Sequence, residues 1–147
     1  MEVILKNIKD TQKLAKDLAK EILRKDRLSV VALYGILGAG KTTFVQFLAK
    51  ALGVKEKVLS PTFIIMKTFA LPRRMGQFKF LTHIDTYRLT SAKDLLELGL
   101  KEILKDKENI TIIEWPEKVA RYLPKNTMNL YFRVMGEKER KVTTKNF

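Results

Sequence analysis

Apolar positions along the chain follow two different periods, which predict strands and helices in alternation. Leu28–Tyr34 is a continuous apolar run rich in β-branched residues, which is typical of a strand buried on both faces. Thr42–Leu52 then has helical spacing until Gly53 ends it. Nearer the N-terminus, Asp10 is predicted to cap a helix whose apolar face comprises Leu14, Ala15, Leu18, Ala19, Ile22 and Leu23.

The remaining patterns predict mostly strands. Glu2–Lys6 alternates as a short strand, Ser91–Leu104 has helical spacing interrupted near Gly99, and Ile110–Ile113 is a short buried strand. Two hairpins are predicted, one pairing Thr62–Ala70 with Gln77–Tyr87 and one pairing Met128–Met135 with Lys138–Thr144. Strands that alternate with helices and are followed by hairpins predict an α/β fold, with a mixed parallel and antiparallel sheet flanked by helices.

Composition narrows the class of protein. With 147 residues and 46% hydrophobic content, we expect a single domain over residues 1–147. The absence of cysteine excludes disulfides, thiolate zinc sites and thiol nucleophiles. No run is long enough to span a membrane and the first residues do not resemble a signal peptide, so we expect a cytoplasmic protein with no membrane partner.

The chain is strongly basic, with a formal net charge of +13. Such a field attracts polyanions, including RNA, acidic proteins and nucleotides. On the predicted N-terminal helix, the face opposite the apolar residues is formed by Lys9, Lys13, Lys16, Lys20 and Arg24. It is either a docking stripe or an ordinary solvated face.

Candidate chemistry centres on Gly35–Thr42, which matches G-x-x-x-x-G-K-[ST]. The match lies between a predicted buried strand and a predicted helix, the context in which this motif binds phosphate chains through backbone N–H groups. We therefore predict a three-layer P-loop NTPase fold. The nucleotide-binding residues are expected to be Gly38, Ala39, Gly40, Lys41, Thr42 and Thr43.

Each position of the motif has a physical role. Gly38 and Gly40 permit backbone dihedrals and a close approach to phosphate oxygens that a Cβ would hinder. Lys41 is expected to reach the β- and γ-phosphates of ATP as a point charge, and Thr42 to offer its hydroxyl to Mg²⁺. ATP or ADP and Mg²⁺ are the predicted cofactors.

A P-loop site also needs a carboxylate at the end of a neighbouring strand. Asp85 ends the apolar run 78–84 and Glu114 ends the run Ile110–Ile113. Either acid could hold the metal or position water, and either could instead cap a helix or pair with a lysine. The residue types and spacing leave the division of roles open.

Two further residues are candidates for a functional role at the same edge of the sheet. Thr62, in Ser60-Pro61-Thr62, lies where a segment sensing the γ-phosphate is expected, although a simple turn explains it equally well. His83 precedes Asp85 on the same strand face and is either a general base or a packed, hydrogen-bonded histidine.

Related nucleotide-binding classes fit less well. The chain has no N/T-K-x-D segment, and Arg88 occupies the position at which a GTPase has the glycine of D-x-x-G. The few arginines of the middle and later chain make the phosphate lid of a small-molecule kinase hard to build. An ATPase is favoured.

Five blocks of sequence together resemble the TsaE family, also called YjeE. They are Leu-Gly-Ala-Gly-Lys-Thr-Thr at 37–43, Ser-Pro-Thr-Phe at 60–63, His-Ile-Asp-Thr-Tyr-Arg-Leu at 83–89, Glu-Leu-Gly at 97–99 and Ile-Glu-Trp-Pro at 113–116. The resemblance covers about residues 3–135, and the order and spacing of the blocks are more specific than the P-loop alone.

The resemblance implies ATP binding and slow hydrolysis within bacterial synthesis of tRNA threonylcarbamoyladenosine. It implies Mg²⁺ held by Thr42 and Glu114, and a catalytic or water-positioning role for Asp85. The resulting hypothesis uses Lys41 for phosphate charge and places Asp85 and Thr62 around the attacking water. The resemblance also implies docking on a TsaB–TsaD pair, with tRNA contacted indirectly or weakly. Family members commonly have an acidic residue where this chain has Ile36. Alternatives are a nucleotide-gated assembly module or an RNA-binding module in which ATP hydrolysis is incidental.

Overall fold

The computed structural model of the chain describes residues 1–25, 28–59 and 65–145. Within these ranges, the strands are β1 (Glu2–Leu5), β2 (Val30–Tyr34), β3 (Met66–Ala70), β4 (Phe80–Asp85), β5 (Asn109–Glu114), β6 (Met128–Val134) and β7 (Arg140–Thr144). The helices are α1 (Ile8–Arg24), α2 (Lys41–Ala51), α3 (Lys93–Glu97) and α4 (Leu100–Lys105), followed by 3₁₀ turns at Pro116–Lys118 and Ala120–Tyr122.

The strands form one mixed sheet in the order β1-β7-β6-β2-β5-β4-β3. Its centre is parallel, because β2 pairs in parallel with both β5 and β6, and β4 pairs in parallel with β5. Its two sides are antiparallel, with β3 against β4 on one side and β6, β7 and β1 in succession on the other. The predicted mixed α/β architecture is confirmed.

Two apolar clusters cover opposite faces of the central strands. The larger one packs α1 and α2 against one face, through residues such as Leu18, Phe44 and Ile112. The smaller one packs α3, α4 and the 3₁₀ turns against the other face, through Ile84, Leu95 and Ile113. Burial on both faces explains why β2 and β5 appear in the sequence as continuous apolar runs.

Helix α1 begins earlier than its sequence pattern suggested. Asn7, rather than Asp10, is the N-cap, because its side-chain oxygen accepts the backbone N–H groups of Lys9 and Asp10 at 2.9 and 3.1 Å. Asp10 lies in the first turn, and its carboxylate accepts the N–H of Lys6 at 2.9 Å. The prediction of Asp10 as the cap was wrong because two residues of capping type lie within four positions of each other.

Both predicted hairpins are present as antiparallel pairs. In the first, β4 is Phe80–Asp85 and so shorter than its predicted run 77–87, while residues 62–64 of the other predicted run lie outside the described residues. The predicted strand 28–34 begins at Val30, and the helix 91–104 is divided at Gly99, where φ is 90°. No helix in the described ranges combines the length and apolar character needed to cross a bilayer.

Candidate functional site

The loop between β2 and α2 has the backbone conformation of an anion cradle. Gly38 and Gly40 have φ values of 77° and 93°, a region that residues with a Cβ rarely adopt. Gly40 is also the N-cap of α2, and it has no side chain with which to cap the first N–H groups of that helix. These amides and the positive end of the helix dipole are therefore available to an anion.

Lys41 lies beneath this loop and is only 4% exposed. Its ammonium donates to the carbonyl oxygens of Gly35 at 2.5 Å and Ile36 at 3.0 Å, and it lies 4.0 Å from the centre of the Trp115 ring. Burial lowers the pKa of Lys41, although the nearby carboxylates of Glu114 and Asp85 oppose that shift. The side chain of Ile36 is largely exposed, so only its backbone faces the ammonium.

Glu114, the last residue of β5, is buried and accepts hydrogen bonds at both carboxylate oxygens. The hydroxyl of Thr42 donates to Oε1 at 2.8 Å, across 72 residues of sequence. Nε2 of His83 lies 2.6 Å from Oε2. Parallel pairing of β2 and β5 places Leu33 beside Glu114, so the carboxylate reaches the first turn of α2 from the adjacent strand.

His83 is hydrogen-bonded to Glu114 and is 2% exposed. Of the two interpretations of this histidine, the structure supports the hydrogen-bonded one, because Nε2 faces the carboxylate. Sequence reasoning placed His83 and Glu114 at the same edge but did not pair them.

Asp85 ends β4 directly beside Glu114 in the strand register. Its carboxylate accepts the backbone N–H of Tyr87 at 2.9 Å. Burial raises the pKa of Asp85, and the negative charge of Glu114 adds to that shift, while the N–H of Tyr87 and the side chains of His83 and Lys41 oppose it. The two candidate carboxylates are neighbours in different environments.

The chain segments that follow β4 and β5 are tied to each other. The backbone N–H of Thr86 donates to the carbonyl of Glu114 at 3.2 Å. The hydroxyl of Thr86 donates to the same carbonyl at 3.3 Å and also to the carbonyl of Trp115. Trp115 has φ 58°, and its ring centre lies 4.8 Å from that of Tyr87. A non-glycine residue held at positive φ is strained backbone maintained by its surroundings.

A cavity of about 160 Å³ adjoins the other flank of the loop. Its lining combines loop and helix residues with α1 and the β6–β7 hairpin, and comprises Leu5, Asn7, Ile8, Thr11, Ala39, Gly40, Thr43, Phe132, Lys138 and Arg140. The guanidinium of Arg140 donates to the carbonyl of Gly38 at 3.3 Å and to the turn carbonyls of Gly136 and Glu139 at 3.0 Å each. Sequence reasoning found no signal for Arg140, because one arginine in a basic hairpin is not distinctive.

The structure brings most of the predicted site residues together. Lys41, Thr42, Glu114 and Asp85 lie at one edge of the sheet, with Gly38 and Gly40 in the loop above them. Ala39 and Thr43 line the flanking cavity. Thr62 lies outside the described residues, so its place in the site stays a prediction.

Comparison with known proteins finds relatives that match most of the chain. The family model of TsaE, the threonylcarbamoyl adenosine biosynthesis protein, matches residues 5–142. A TsaE from Treponema pallidum is 39% identical over 115 residues, which is 78% of this chain and 80% of that protein. The TsaE of Bacillus subtilis is 34% identical over 117 residues, or 78% of this chain and 67% of that protein.

A solved structure of similar sequence has the same fold as this chain. The crystal structure of YdiB from Bacillus subtilis superposes with a TM-score of 0.71 at 28% sequence identity, covering 98% of this chain and 83% of YdiB. The match of the family model to nearly the whole sequence, together with these relatives, shows that the chain belongs to the TsaE family of tRNA threonylcarbamoyladenosine biosynthesis proteins.

Proposed function

We propose that this protein is the Mg²⁺-dependent ATPase of the threonylcarbamoyladenosine system and that it acts on a TsaB–TsaD pair. The observation that carries the proposal is the 2.8 Å hydrogen bond between Thr42, in the first turn after the glycine-rich loop, and the buried Glu114. A phosphate cradle with a hydroxyl and a fixed carboxylate beside it has the components of a metal–nucleotide site.

Phosphate binding would fall to the loop amides and Lys41. The ammonium of Lys41 donates to two loop carbonyls, and phosphate oxygens carry far more negative charge than these acceptors. Bound ATP would therefore draw the ammonium from the carbonyls toward its β- and γ-phosphates. Burial of Lys41 strengthens this attraction, because the local dielectric is lower than that of water.

The residues present fit a magnesium ion. Thr42 and Glu114 supply two hard oxygen donors within hydrogen-bond distance of each other, which Mg²⁺ combines with phosphate oxygens and water. When bound, the ion supplies charge neutralisation on the phosphate chain. Thr42 and Glu114 would hold it, and the hydroxyl of Thr42 would turn from Glu114 toward the ion.

Asp85 would position the attacking water and accept its proton. In hydrolysis the water oxygen forms a bond to the γ-phosphorus while the bond to the β–γ bridging oxygen breaks, and ADP leaves with that electron pair. The raised pKa of Asp85 suits a group that accepts a proton near neutral pH. Thr62 would act beside the same water, as its position after the P-loop helix in the sequence predicts.

The nucleoside would occupy the flanking cavity. Gly40 and Thr43 belong to both the phosphate loop and the cavity lining, so the cavity is continuous with the phosphate site. The apolar side chains of Leu5 and Phe132 offer a surface for a base, and Asn7 offers polar atoms.

Partner docking would occur near the loop. Ile36, Leu37 and Tyr87 are large apolar side chains exposed at or beside this edge of the sheet, with exposed fractions of 64%, 70% and 50%. Exposed apolar groups around a nucleotide site would let a partner sense the phosphate state. The chemistry on tRNA would then take place on the partner enzyme in the cytoplasm.

The second candidate is an assembly or RNA-binding module in which hydrolysis is incidental. The observation that favours it is the exposed basic face of α1, formed by Lys9, Lys13, Lys16 and Lys20, in a chain of net charge +13. This module would bind tRNA without partners, with an affinity that falls steeply as salt rises. ATP turnover measured with and without the TsaB–TsaD pair separates the two functions.

The first test removes Lys41, the positive charge that we propose pairs with the phosphates. We expect Lys41→Ala to weaken Mg-ATP binding about 10–100-fold, because hydrogen bonds to charged groups contribute about 1.5–3 kcal/mol each. Lys50→Ala is the matched control, since Lys50 lies exposed in the last turn of the same helix. Calorimetry measures both, and unchanged affinity in the Lys41→Ala protein would contradict the proposal.

The second test concerns the metal. Glu114→Ala is expected to weaken nucleotide binding in the presence of Mg²⁺ more than ADP binding in EDTA, because only the former uses the carboxylate. Equal losses under both conditions would assign Glu114 a purely structural role.

A further inference from the structure

The two oxygens of the Glu114 carboxylate have partners of different kinds. Oε1 accepts from the hydroxyl of Thr42, which can rotate away about a single bond. Oε2 lies 2.6 Å from Nε2 of His83, which is only 2% exposed. A carboxylate buried this deeply requires compensating donors, and His83 provides one that the protein interior holds in place.

The sheet register explains why this contact is fixed. His83 and Asp85 project from the same face of β4, and His83 pairs with Ile112, two residues before Glu114 on β5. Both neighbours of His83 along β4, Thr82 and Ile84, are buried on the opposite face. The backbone of His83 is therefore held within the sheet, with a buried imidazole that faces Oε2.

From this geometry we propose that His83 is a specificity-determining positioning residue, which leaves Glu114 only Oε1 to offer a metal and so favours Mg²⁺ over Ca²⁺. The inference rests on the proposed function, since it takes Glu114 as the carboxylate that holds the ion. His83 itself contacts neither nucleotide nor metal in this scheme. It acts through Glu114.

The selectivity follows from the coordination preferences of the two ions. Mg²⁺ requires near-octahedral geometry at 2.0–2.1 Å and takes carboxylates through one oxygen, whereas Ca²⁺ accepts six to eight ligands and readily takes both oxygens of one carboxylate. Because Nε2 of His83 contacts Oε2, binding of Ca²⁺ through both oxygens would have to compete with this buried hydrogen bond, whereas binding of Mg²⁺ through Oε1 would not. Partners of this kind typically alter metal affinity by 10–100-fold when removed.

The test compares ADP affinity in EDTA, in Mg²⁺ and in Ca²⁺ by calorimetry. In the wild-type protein we expect Mg²⁺ to raise ADP affinity at least tenfold more than Ca²⁺ does. In His83→Leu we expect ADP affinity in EDTA to stay within about twofold, the gain from Mg²⁺ to fall about 10–100-fold, and the gain from Ca²⁺ to persist or rise. If His83 served only to pack the protein interior, its replacement would instead weaken ADP affinity under all three conditions together.

Two further variants separate the hydrogen bond from packing. In His83→Gln, the amide nitrogen lies at about the reach of Nε2, so most of the Mg²⁺ preference should return. In His83→Asn, the amide falls short of Oε2, so the preference should stay lost although the residue is polar. This pair decides the question even if His83→Leu does not fold.

Thr82→Val is the matched control on the same strand. It removes a buried hydroxyl that donates to Asn109 at 2.9 Å on the opposite face, so it perturbs β4 without touching Glu114. We expect its ratio of Mg²⁺ to Ca²⁺ gains to equal that of the wild type.

The outcomes separate this inference from the function on which it rests. If Glu114→Ala removes the Mg²⁺ gain but the His83 variants keep the wild-type ratio, His83 does not determine selectivity and only this inference fails. If Glu114→Ala leaves the Mg²⁺ gain intact, the metal assignment fails first. A wild-type protein without any preference for Mg²⁺ would also overturn the inference.

Discussion

The ends of β4 and β5 differ more than their neighbouring positions suggest. Each strand ends in a carboxylate at the same edge of the sheet, and Asp85 and Glu114 are direct register partners. Glu114 is 1% exposed and, among the described residues, accepts from Thr42 at Oε1 and from His83 at Oε2. Asp85 is only partly buried, and its carboxylate accepts the backbone N–H of Tyr87.

This difference shows that the surroundings of the two acids, rather than their places in the strands, distinguish them, and the roles that we propose for them rest on those surroundings. A carboxylate held at both oxygens is suited to a fixed ligand, because its position changes little between states. A half-buried carboxylate whose pKa is raised by burial is suited to accept a proton. We therefore expect substitutions at the two positions to affect binding and turnover separately.

The largest separation is expected from Asp85→Asn. The amide is nearly the same size and can still accept the N–H of Tyr87, but it cannot accept a proton from water. ATP turnover should fall about 100–10,000-fold, the usual range for loss of a general base, while nucleotide affinity changes little. Single-turnover phosphate release with the TsaB–TsaD pair measures the first quantity and calorimetry the second.

Glu97→Gln is the control, since Glu97 is an exposed acid of α3 and is not among the charges that act on Lys41. Its turnover should match the wild type. An Asp85→Asn protein that loses affinity and turnover to the same degree would show that Asp85 acts in binding, which would erase the contrast with Glu114.

Local sequence patterns predicted the parts of the site that lie close together in the chain. The glycine-rich loop, the strand before it and the helix after it form one contiguous unit, and its spacing alone indicates a phosphate cradle. The acids at the ends of β4 and β5 were predictable because buried apolar runs end visibly at polar residues. The hairpin of β6 and β7 was predictable because two strand patterns lie on either side of Gly136.

Contacts between distant segments could not be predicted in the same way. Thr42 and Glu114 are 72 residues apart, and His83 and Glu114 are 31 residues apart, so their hydrogen bonds depend on strand order and register. The contact of Arg140 with Gly38 likewise depends on where the last hairpin joins the sheet. The sequence alone could not show that Asn7, rather than Asp10, caps α1, because the backbone angles at the helix start decide which residue is the cap.

An intermediate effect is expected from Thr86→Val, which loosens the link between the two strand ends. Thr86 is fully buried, and its hydroxyl donates to the carbonyls of Glu114 and Trp115, which would lose this partner. The free energy of unfolding should fall by about 1–3 kcal/mol, the usual effect of leaving buried polar groups unpaired. Urea denaturation measures it, with Thr90→Val, at an exposed position on the same connection, as the control.

If Thr86 joins the two ends, its loss should also reduce the difference between them. The Mg²⁺-dependent gain in ADP affinity is expected to drop modestly, by a few-fold, because the backbone of Glu114 is less firmly held. A Thr86→Val protein with wild-type stability would mean that the two strand ends are positioned independently.

The smallest effect concerns pH and the stability of the folded protein. Because the pKa of Asp85 is raised in the folded state above its ordinary value of 3.8, the folded protein holds this proton at pH values where the unfolded chain has released it. Stability is therefore lost as pH rises from about 3.8 through the folded pKa, and the loss is complete above it. Asp85→Asn should be more stable than the wild type at neutral pH, and the difference should vanish below about pH 4.

Urea denaturation across pH measures this difference in stability, with Glu97→Gln, at an exposed acid of α3, as a control for removing one negative charge. An Asp85→Asn protein that is less stable than the wild type at neutral pH would mean that Asp85 is stabilised as a carboxylate, and the proposed contrast with Glu114 would then be lost.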